Sequence, residues 1–234
     1  MSMLPSIPIN DIQSDIIKRL RRVSGMRFAA LNVDNVSSDQ FSYHLRHLQR
    51  TGLVEKDEQG LYKLSVTGKS QSLLIAPDAA GFIRQGFIAV RVVYTKSENG
   101  QQFFLLQKRA EVPYQGRLTE PGGKIVAGST VDEAARYHMR YQTGLDCNVE
   151  LKGLVHFLDE YQGQIVQDKY FFVLHATRLA GELRTDGPLG ENLWMTYEEI
   201  KASPLSLPGL LTTLELGVGE RFAFHESKFV ADEY

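Results

Sequence analysis

The stretch Gly122 to Leu145, GGKIVAGSTVDEAARYHMRYQTGL, constrains the fold more than any other part of the chain. It reads as a loop, a helix and a stop. Gly122, Gly123 and Gly128 permit tight backbone turns. Thr130 followed by Glu133 forms a capping box, in which each side chain satisfies an orphan amide of the first turn. Ala134, Ala135, Tyr137, Met139 and Tyr141 carry the helix onward. Gly144 stands where a left-handed residue ends one.

This outline resembles the Nudix box, written G-x5-E-x7-R-E-U-x-E-E-x-G-U with U apolar. From Gly123 the register runs without insertion or deletion, placing Met139 on the first U and Gly144-Leu145 on the final G-U. The charged positions are replaced. Ser129 stands for the first Glu, Tyr137 for the Arg, His138 for the Glu beside it, and Tyr141 and Gln142 for the paired Glu residues. The resemblance implies that those carboxylates would hold Mg²⁺ against a pyrophosphate, and Mg²⁺ is held by carboxylates plus substrate phosphates. A phenol, an amide and an imidazole supply no negative charge. The motif keeps its backbone and loses its metal ligands, so no metal ligand and no catalytic residue is assigned. Asp132 and Glu133 survive, but acids are favoured in a first helical turn whatever the function. His138 has no second His or Cys at i+3 or i+4 with which to hold a transition metal.

Hydrophobic and charged contents of 43% and 23% are those of an ordinary globular protein, and 234 residues suffice for two small domains. The single Cys147 excludes an intrachain disulfide and a multi-cysteine zinc cluster, which suits a reducing, cytoplasmic setting. The start, MSMLPSIPIN, lacks a basic region followed by an apolar run, so no secretory signal is expected. Nor does any stretch approach the ~20 apolar residues of a membrane span.

Ile12, Ile16, Ile17, Leu20 and Val23 recur at helical spacing, with Lys18, Arg19, Arg21 and Arg22 on other faces, and Gly25 breaks the helix. Arg27 to Leu31 suits one short helix. Ser37 and Gln40 form a second capping box opening a helix through Arg50, with Phe41, Leu45 and Leu48 as its apolar stripe and His44 packed beside it. Leu53 to Lys56 and Leu61 to Ser65 are short strands around Asp57-Glu58-Gln59-Gly60. Three helices and a hairpin are the layout of a winged helix. The wording FSYHLRHLQRTGLVEKDEQGLYKLSVTGK resembles the recognition helix and wing of ArsR- and MarR-type regulators. That resemblance implies double-stranded DNA as a partner. Gln40, Tyr43, Arg46, His47 and Arg50 lie on the helix face away from the apolar stripe, where Gln and Arg read base edges and Arg50 and Lys63 meet phosphates. Residues 1 to 72 are mildly basic while the rest of the chain is acidic, which favours docking a polyanion at this end. A winged helix serving protein contacts alone is the bland alternative. Arg19, Arg21 and Arg22 fit a solvated face equally well.

Lys69 to Phe82 reads as a linker with a short strand or turn, and the boundary falls near residues 75 to 84. Beyond it, Phe87 to Tyr94 and Gln102 to Gln107 are strands joined by the Ser97-Glu98-Asn99-Gly100 turn. Val149 to Leu158 and Lys169 to Thr177 are strands around Tyr161-Gln162-Gly163, and Leu205 to Leu216 is a closing helix. Lys108-Arg109, Glu120-Pro121-Gly122-Gly123 and Trp194 with Tyr197-Glu198-Glu199-Ile200 resemble further Nudix segments. The expected fold is therefore α+β in two domains, a winged helix over 5–72 and a Nudix α/β/α sandwich with a mixed sheet over 84–230.

The expected function is a DNA-binding transcriptional regulator whose degenerate Nudix-like domain senses a nucleotide or nucleotide sugar. It resembles the known regulators that join these two modules and respond to ADP-ribose-type metabolites. Its expected ligand-binding residues are Arg91, Arg109, Glu120, His138, Tyr141 and Gln142, the last three lining a neutral, hydrogen-bonding cleft and the arginines facing phosphate. A homodimer is expected, because paired recognition helices read half-sites. No cofactor is required. The alternative is a Nudix hydrolase of a nucleoside diphosphate derivative, using Mg²⁺ through non-standard metal ligands, with Glu120, Asp159, Glu160, Asp168 and Glu191 as the acids that could reach the cleft. A scaffold using both domains for protein contacts is a third reading.

Overall fold

The computed structural model describes residues 10–32, 36–75 and 85–230, which fall into two compact units, Met1–Arg84 and Gln85–Tyr234. Residues 5–9 and 76–84, part of the expected first domain and linker, lie outside the described residues.

The first unit contains α1 (Asp11–Leu20), α2 (Phe28–Leu31), α3 (Ser38–Arg50), β1 (Val54–Lys56), β2 (Tyr62–Leu64) and α4 (Val66–Ser72). Its core is Ile16, Ile17 and Leu20 from α1 against Phe41, Leu45 and Leu48 from α3, closed by Leu53 and Leu64 at the hairpin. Asn10 and Gln13 form a reciprocal capping box on α1. On α3, Ser37 accepts from the Gln40 amide, and no reciprocal bond from Gln40 accompanies it. The α1 helix ends at Leu20, before the expected break at Gly25, and Val23 is exposed. The expected linker begins as a helix instead. Ser65 accepts from the Gly68 amide to start α4, and Gly68 has no room for a side chain, since a Cβ there would lie 1.9 Å from the Leu53 carbonyl oxygen. Arg19 and Arg21 are not simply solvated: they donate to the carbonyls of Asn32 at 3.2 Å and Ser72 at 2.9 Å. His44 is buried beside the apolar stripe and approaches the Asn10 and Gln13 side chains at 3.3 and 3.5 Å.

The second unit contains β3 (Phe87–Val93), β4 (Thr95–Glu98), β5 (Gln101–Arg109), β6 (Leu118–Thr119), β7 (Gly122–Lys124), α5 (Val131–Thr143), β8 (Asp146–Tyr161), β9 (Gln164–Ala180), β10 (Asp186–Gly187), β11 (Gly190–Thr196), α6 (Tyr197–Ala202), α7 (Leu210–Val218) and β12 (Ala223–Val230). One sheet, in the order β12-β8-β9-β3-β7, is mixed: β3 runs parallel to β9 and β12 parallel to β8. The other has the order β10-β11-β5-β4, with β6 on β5. The Asn99-Gly100 turn joins β4 to β5, so the strands β3 and β5 that were expected to pair lie in different sheets. Alternation along β3 sets the layers. Val90 and Val92 pack against Ala134, Ala135 and Met139 of α5, whereas Ala89 and Val93 pack against Leu210 and Leu214 of α7. The closing helix starts at Leu210, five residues later than expected, because Pro208-Gly209 still belongs to the loop. No helix among the described residues is long and apolar enough to cross a membrane.

Strand β12 had no counterpart in the sequence reading. It is an edge strand with largely exposed side chains, and polar bonds help fasten it. His156 on β8 places Nδ1 2.5 Å from Glu226 on β12 and Nε2 3.0 Å from Asp168 on β9, while its ring stacks on Tyr170 at 4.0 Å. Lys228 pairs with Glu160 alongside. Burial lowers the imidazole's proton affinity, but the two carboxylates outweigh it and raise the pKa above 6.5. A raised histidine stabilises the fold fully below its unfolded value, and that contribution is lost as pH rises through the folded value. We therefore expect wild-type protein to lose its stability advantage over His156→Gln as pH is raised from about 6 to about 9, measured by urea unfolding at each pH.

Candidate functional site

Arg91 lies on the same face of β3 as Ala89 and Val93, directed into a layer that is otherwise apolar. A charge there must be paired. Its guanidinium stacks 4.4 Å from the Phe171 ring centroid, donates to the Thr119 hydroxyl and lies 3.7 Å from Glu120 Oε2. Burial lowers the Arg91 pKa, opposed by Glu120. Burial likewise raises the Glu120 pKa, tempered by Arg91, its own backbone amide and the Thr119 and Thr213 hydroxyls. Both residues line a cavity of about 310 Å³ between the mixed sheet and the loop that opens α7.

A second pair faces them. Asp159, near the end of β8, accepts from Lys169 on β9 and from the Tyr114 hydroxyl. Burial lowers the Lys169 pKa, Asp159 raises it, and the nearby Arg91 and Arg109 add to the lowering. Arg109 is half-buried at the end of β5, with Nε donating to the Pro113 carbonyl at 3.2 Å. Lys124 is exposed above the Phe87 ring at 5.1 Å. The lining thus contains four cations, Arg91, Arg109, Lys124 and Lys169, against the two carboxylates Glu120 and Asp159.

Of the expected ligand-binding residues, Arg91, Arg109 and Glu120 line this cavity, while His138, Tyr141 and Gln142 do not. The reason is local. Gln142 is 1% exposed, and its side chain donates to the Gly122 carbonyl at 2.7 Å while accepting the Gly122 amide at 3.2 Å. His138 Nε2 lies 3.0 Å from the Lys124 carbonyl, and its ring packs so close to Gly123 that a Cβ there would sit 2.4 Å from it. The two side chains stitch α5 to β7 instead of opening onto the cleft. Tyr141 projects to solvent, stacked at 5.8 Å on the exposed Tyr137.

Mg²⁺, which the box implies, does not fit this donor set. Positions 129, 138, 141 and 142 hold a hydroxyl, an imidazole, a phenol and an amide, and two of them are spent on backbone. Asp132 pairs with Arg136 and Glu133 caps Thr130, as first-turn acids do. Among the described residues no group of three or more His, Cys, Asp and Glu could hold a metal ion. Of the late acids, Asp159 reaches the cavity, but Asp168 is bound to His156, Glu160 to Lys228, and Glu191 sits in the other sheet. Sequence reasoning missed Thr119, Lys169 and Tyr114. A polar or basic residue within an otherwise apolar strand, such as Lys169 ahead of YFFVL, was the available signal for one of them.

In the first unit, Gln40, Tyr43, Arg46 and Arg50 are exposed along α3 and His47 is half-buried among them. Arg46 Nε returns to the Ser42 carbonyl at 3.2 Å, and Arg50 meets His47 Nδ1 at 3.0 Å. Lys63 is paired across the hairpin with Glu55 at 3.5 Å.

The clamp at Gln142 can be tested directly. Gln142→Ala removes both bonds to Gly122 and leaves partly buried backbone groups unpaired, so a loss of about 1–3 kcal/mol in urea unfolding is expected.

The NUDIX domain profile matches residues 87–211. A protein of Caenorhabditis elegans named as a nudix hydrolase is 26% identical over 127 residues, 53% of this chain and 32% of that protein. The Bacillus subtilis Nudix hydrolase YvcI is 28% identical over 120 residues, 51% of this chain and 73% of its own length. The chain thus spans about a third of the first relative and nearly three quarters of the second. The crystal structure of a MutT protein from Bacillus halodurans superposes with a TM-score of 0.52 at 23% identity, covering 63% of this chain and 93% of that one. With its mixed sheet between α5 and α7, its box helix in register and more than half of its length matched, the chain belongs to the Nudix family.

Proposed function

We propose that this protein is a DNA-binding transcriptional regulator in which residues 84–230 form a sensor for a nucleotide-type metabolite and residues 5–72 a winged helix. The observation that carries this reading is the cationic excess of the cavity beside a box without metal ligands. A pyrophosphate needs its charge offset, and Mg²⁺ ordinarily shares that task with the protein. Here the half-buried Arg109 and the exposed Lys124 would meet phosphate oxygens, and Phe87 would lie beside a base or sugar. Lysine and arginine bind phosphate without activating water, so the arrangement suits retention of the ligand over its hydrolysis. Three helices followed by a hairpin, with Gln40, Tyr43, Arg46 and Arg50 exposed along α3, support the winged-helix half. A homodimer in the cytoplasm completes the proposal.

A Nudix pyrophosphohydrolase with non-standard ligands is the second reading. The specific observation in its favour is that Glu120 and Asp159 share one cavity. The hydrolase names of the relatives give it further support.

Thermal denaturation with ADP-ribose, nucleotides and nucleotide sugars, each in Mg²⁺ and in EDTA, separates the two. At ~100 times its dissociation constant a ligand stabilises by roughly 2.7 kcal/mol. The sensor reading expects that shift to survive EDTA, and a shift that needs Mg²⁺ with turnover of the ligand favours the hydrolase. For the DNA half, binding to fragments selected from a random duplex pool is expected to weaken at least ~10-fold in the Arg46→Ala, His47→Ala double variant at fixed salt. Unchanged binding would remove α3 as the reading helix.

A further inference from the structure

Glu120 is more specialised than an anion site requires. Its side chain is 3% exposed, and Oε2 is committed to the Thr119 hydroxyl at 3.2 Å and the Arg91 guanidinium at 3.7 Å. Oε1 is buried without a hydrogen-bond partner. Thr213, whose hydroxyl lies near enough to Glu120 to temper its pKa, commits its single hydroxyl hydrogen to the Gly209 carbonyl at 2.9 Å and so does not complete Oε1. A buried acceptor left bare is costly, and folded proteins keep few of them. The donor it lacks is best supplied by whatever occupies the cavity that Glu120 lines. That donor cannot be a phosphate, because an anionic oxygen would meet a carboxylate.

We propose that Glu120 Oε1 is the specificity-determining acceptor for a hydroxyl of the ligand. The cavity then selects a polyhydroxylated phosphate ester, such as a ribosyl phosphate, over a phosphate ester of the same length without hydroxyls. The lining divides accordingly. Arg109 and Lys124 take the anionic oxygens, Lys169 is held by Asp159, and Arg91 is spent on fixing Thr119 and Glu120. The inference rests on the reading of this cavity as a site for a nucleotide-type metabolite. It adds that recognition is by the sugar as well as by charge. A site built to accept a hydrogen bond from a hydroxyl strongly rejects the analogue that lacks one.

The test titrates full-length protein, in EDTA, with ribose 5-phosphate and with n-pentyl phosphate, followed by NMR chemical shifts. Wild-type protein is expected to prefer ribose 5-phosphate at least ~10-fold. In Glu120→Gln the ratio of the two affinities is expected to fall to about 1, whatever common change in phosphate affinity the lost charge brings to both esters. Equal affinity of the wild type for the two esters overturns the role of Glu120 and leaves the anion site standing. Preference retained in Glu120→Gln overturns it as well. Wild-type protein that binds neither ester, nor ADP-ribose, overturns both this inference and the site reading. Should Glu120→Gln fail to fold, the wild-type comparison of the two esters decides alone.

Discussion

The amide of Gln142 is the constraint on which the box depends. It donates to the Gly122 carbonyl and accepts the Gly122 amide, so it must carry both a donor and an acceptor. An ionised carboxylate has no donor. Glu at this position would leave a partly buried carbonyl bare and place a charge beside it. The same holds one turn earlier, where the His138 Nε2 proton points at the Lys124 carbonyl, Nδ1 lies 3.4 Å from the Gln142 amide nitrogen, and a glutamate could not donate. The two substitutions form a coherent replacement: the groups that would face a metal have become the groups that hold β7 on α5. Gly123 belongs to the same arrangement, because the imidazole occupies the space a Cβ would need.

That replacement shifts the electrostatic work to the other side of β7. With no carboxylates at positions 129, 138, 141 and 142, the acids that line the cavity are Glu120 and Asp159, each already matched to a cation from a neighbouring strand. Pairing two buried charges seldom adds much stability over an apolar alternative. What the pairs provide is a fixed orientation. Arg91 lies over Phe171 and holds Thr119 and Glu120, while Lys169 and Tyr114 converge on Asp159. Arg109 and Lys124 remain at the half-buried and exposed margin, where an incoming anion meets them first.

Much of this layout was legible in the residues. The box helix, its Thr130–Glu133 cap and its Gly144 stop follow from local capping chemistry, which acts over three or four residues and leaves a clear trace. The loss of metal ligands at positions 129, 138, 141 and 142 was equally plain. The consequence was not. A residue beside a cleft in sequence can turn its side chain into backbone, and only tertiary geometry shows that His138 and Gln142 do so while Tyr141 faces solvent. Strand β12 escaped notice for a related reason. AFHESKFV alternates weakly and is mostly exposed, and its parallel seat on β8 depends on partners some seventy residues away in the chain, among them His156. The α4 helix was hidden because VTGKSQS has poor helix propensity, and its start is fixed by one serine cap and one glycine pressed on Leu53.

A receptor and an enzyme built on this fold place opposite demands on the same atoms. Turnover of a diphosphate needs an activated water and a base free to take its proton. Asp159 is held by Lys169 and Tyr114, whereas Glu120 gives Oε2 to Arg91 and Thr119 and keeps only Oε1 open. A sensor needs the reverse, a ligand retained long enough for its binding energy to be felt elsewhere. That energy can reach a DNA-binding unit only to the extent that the ligand binds one arrangement of the protein more tightly than another, typically by 1–3 kcal/mol. Contacts that exist only when the cavity is filled are the ones able to supply such a difference. On the reading proposed above, the bare Oε1 of Glu120 would be such a contact, its hydrogen bond coming with occupancy, whereas the Arg91 and Lys169 pairs are already complete.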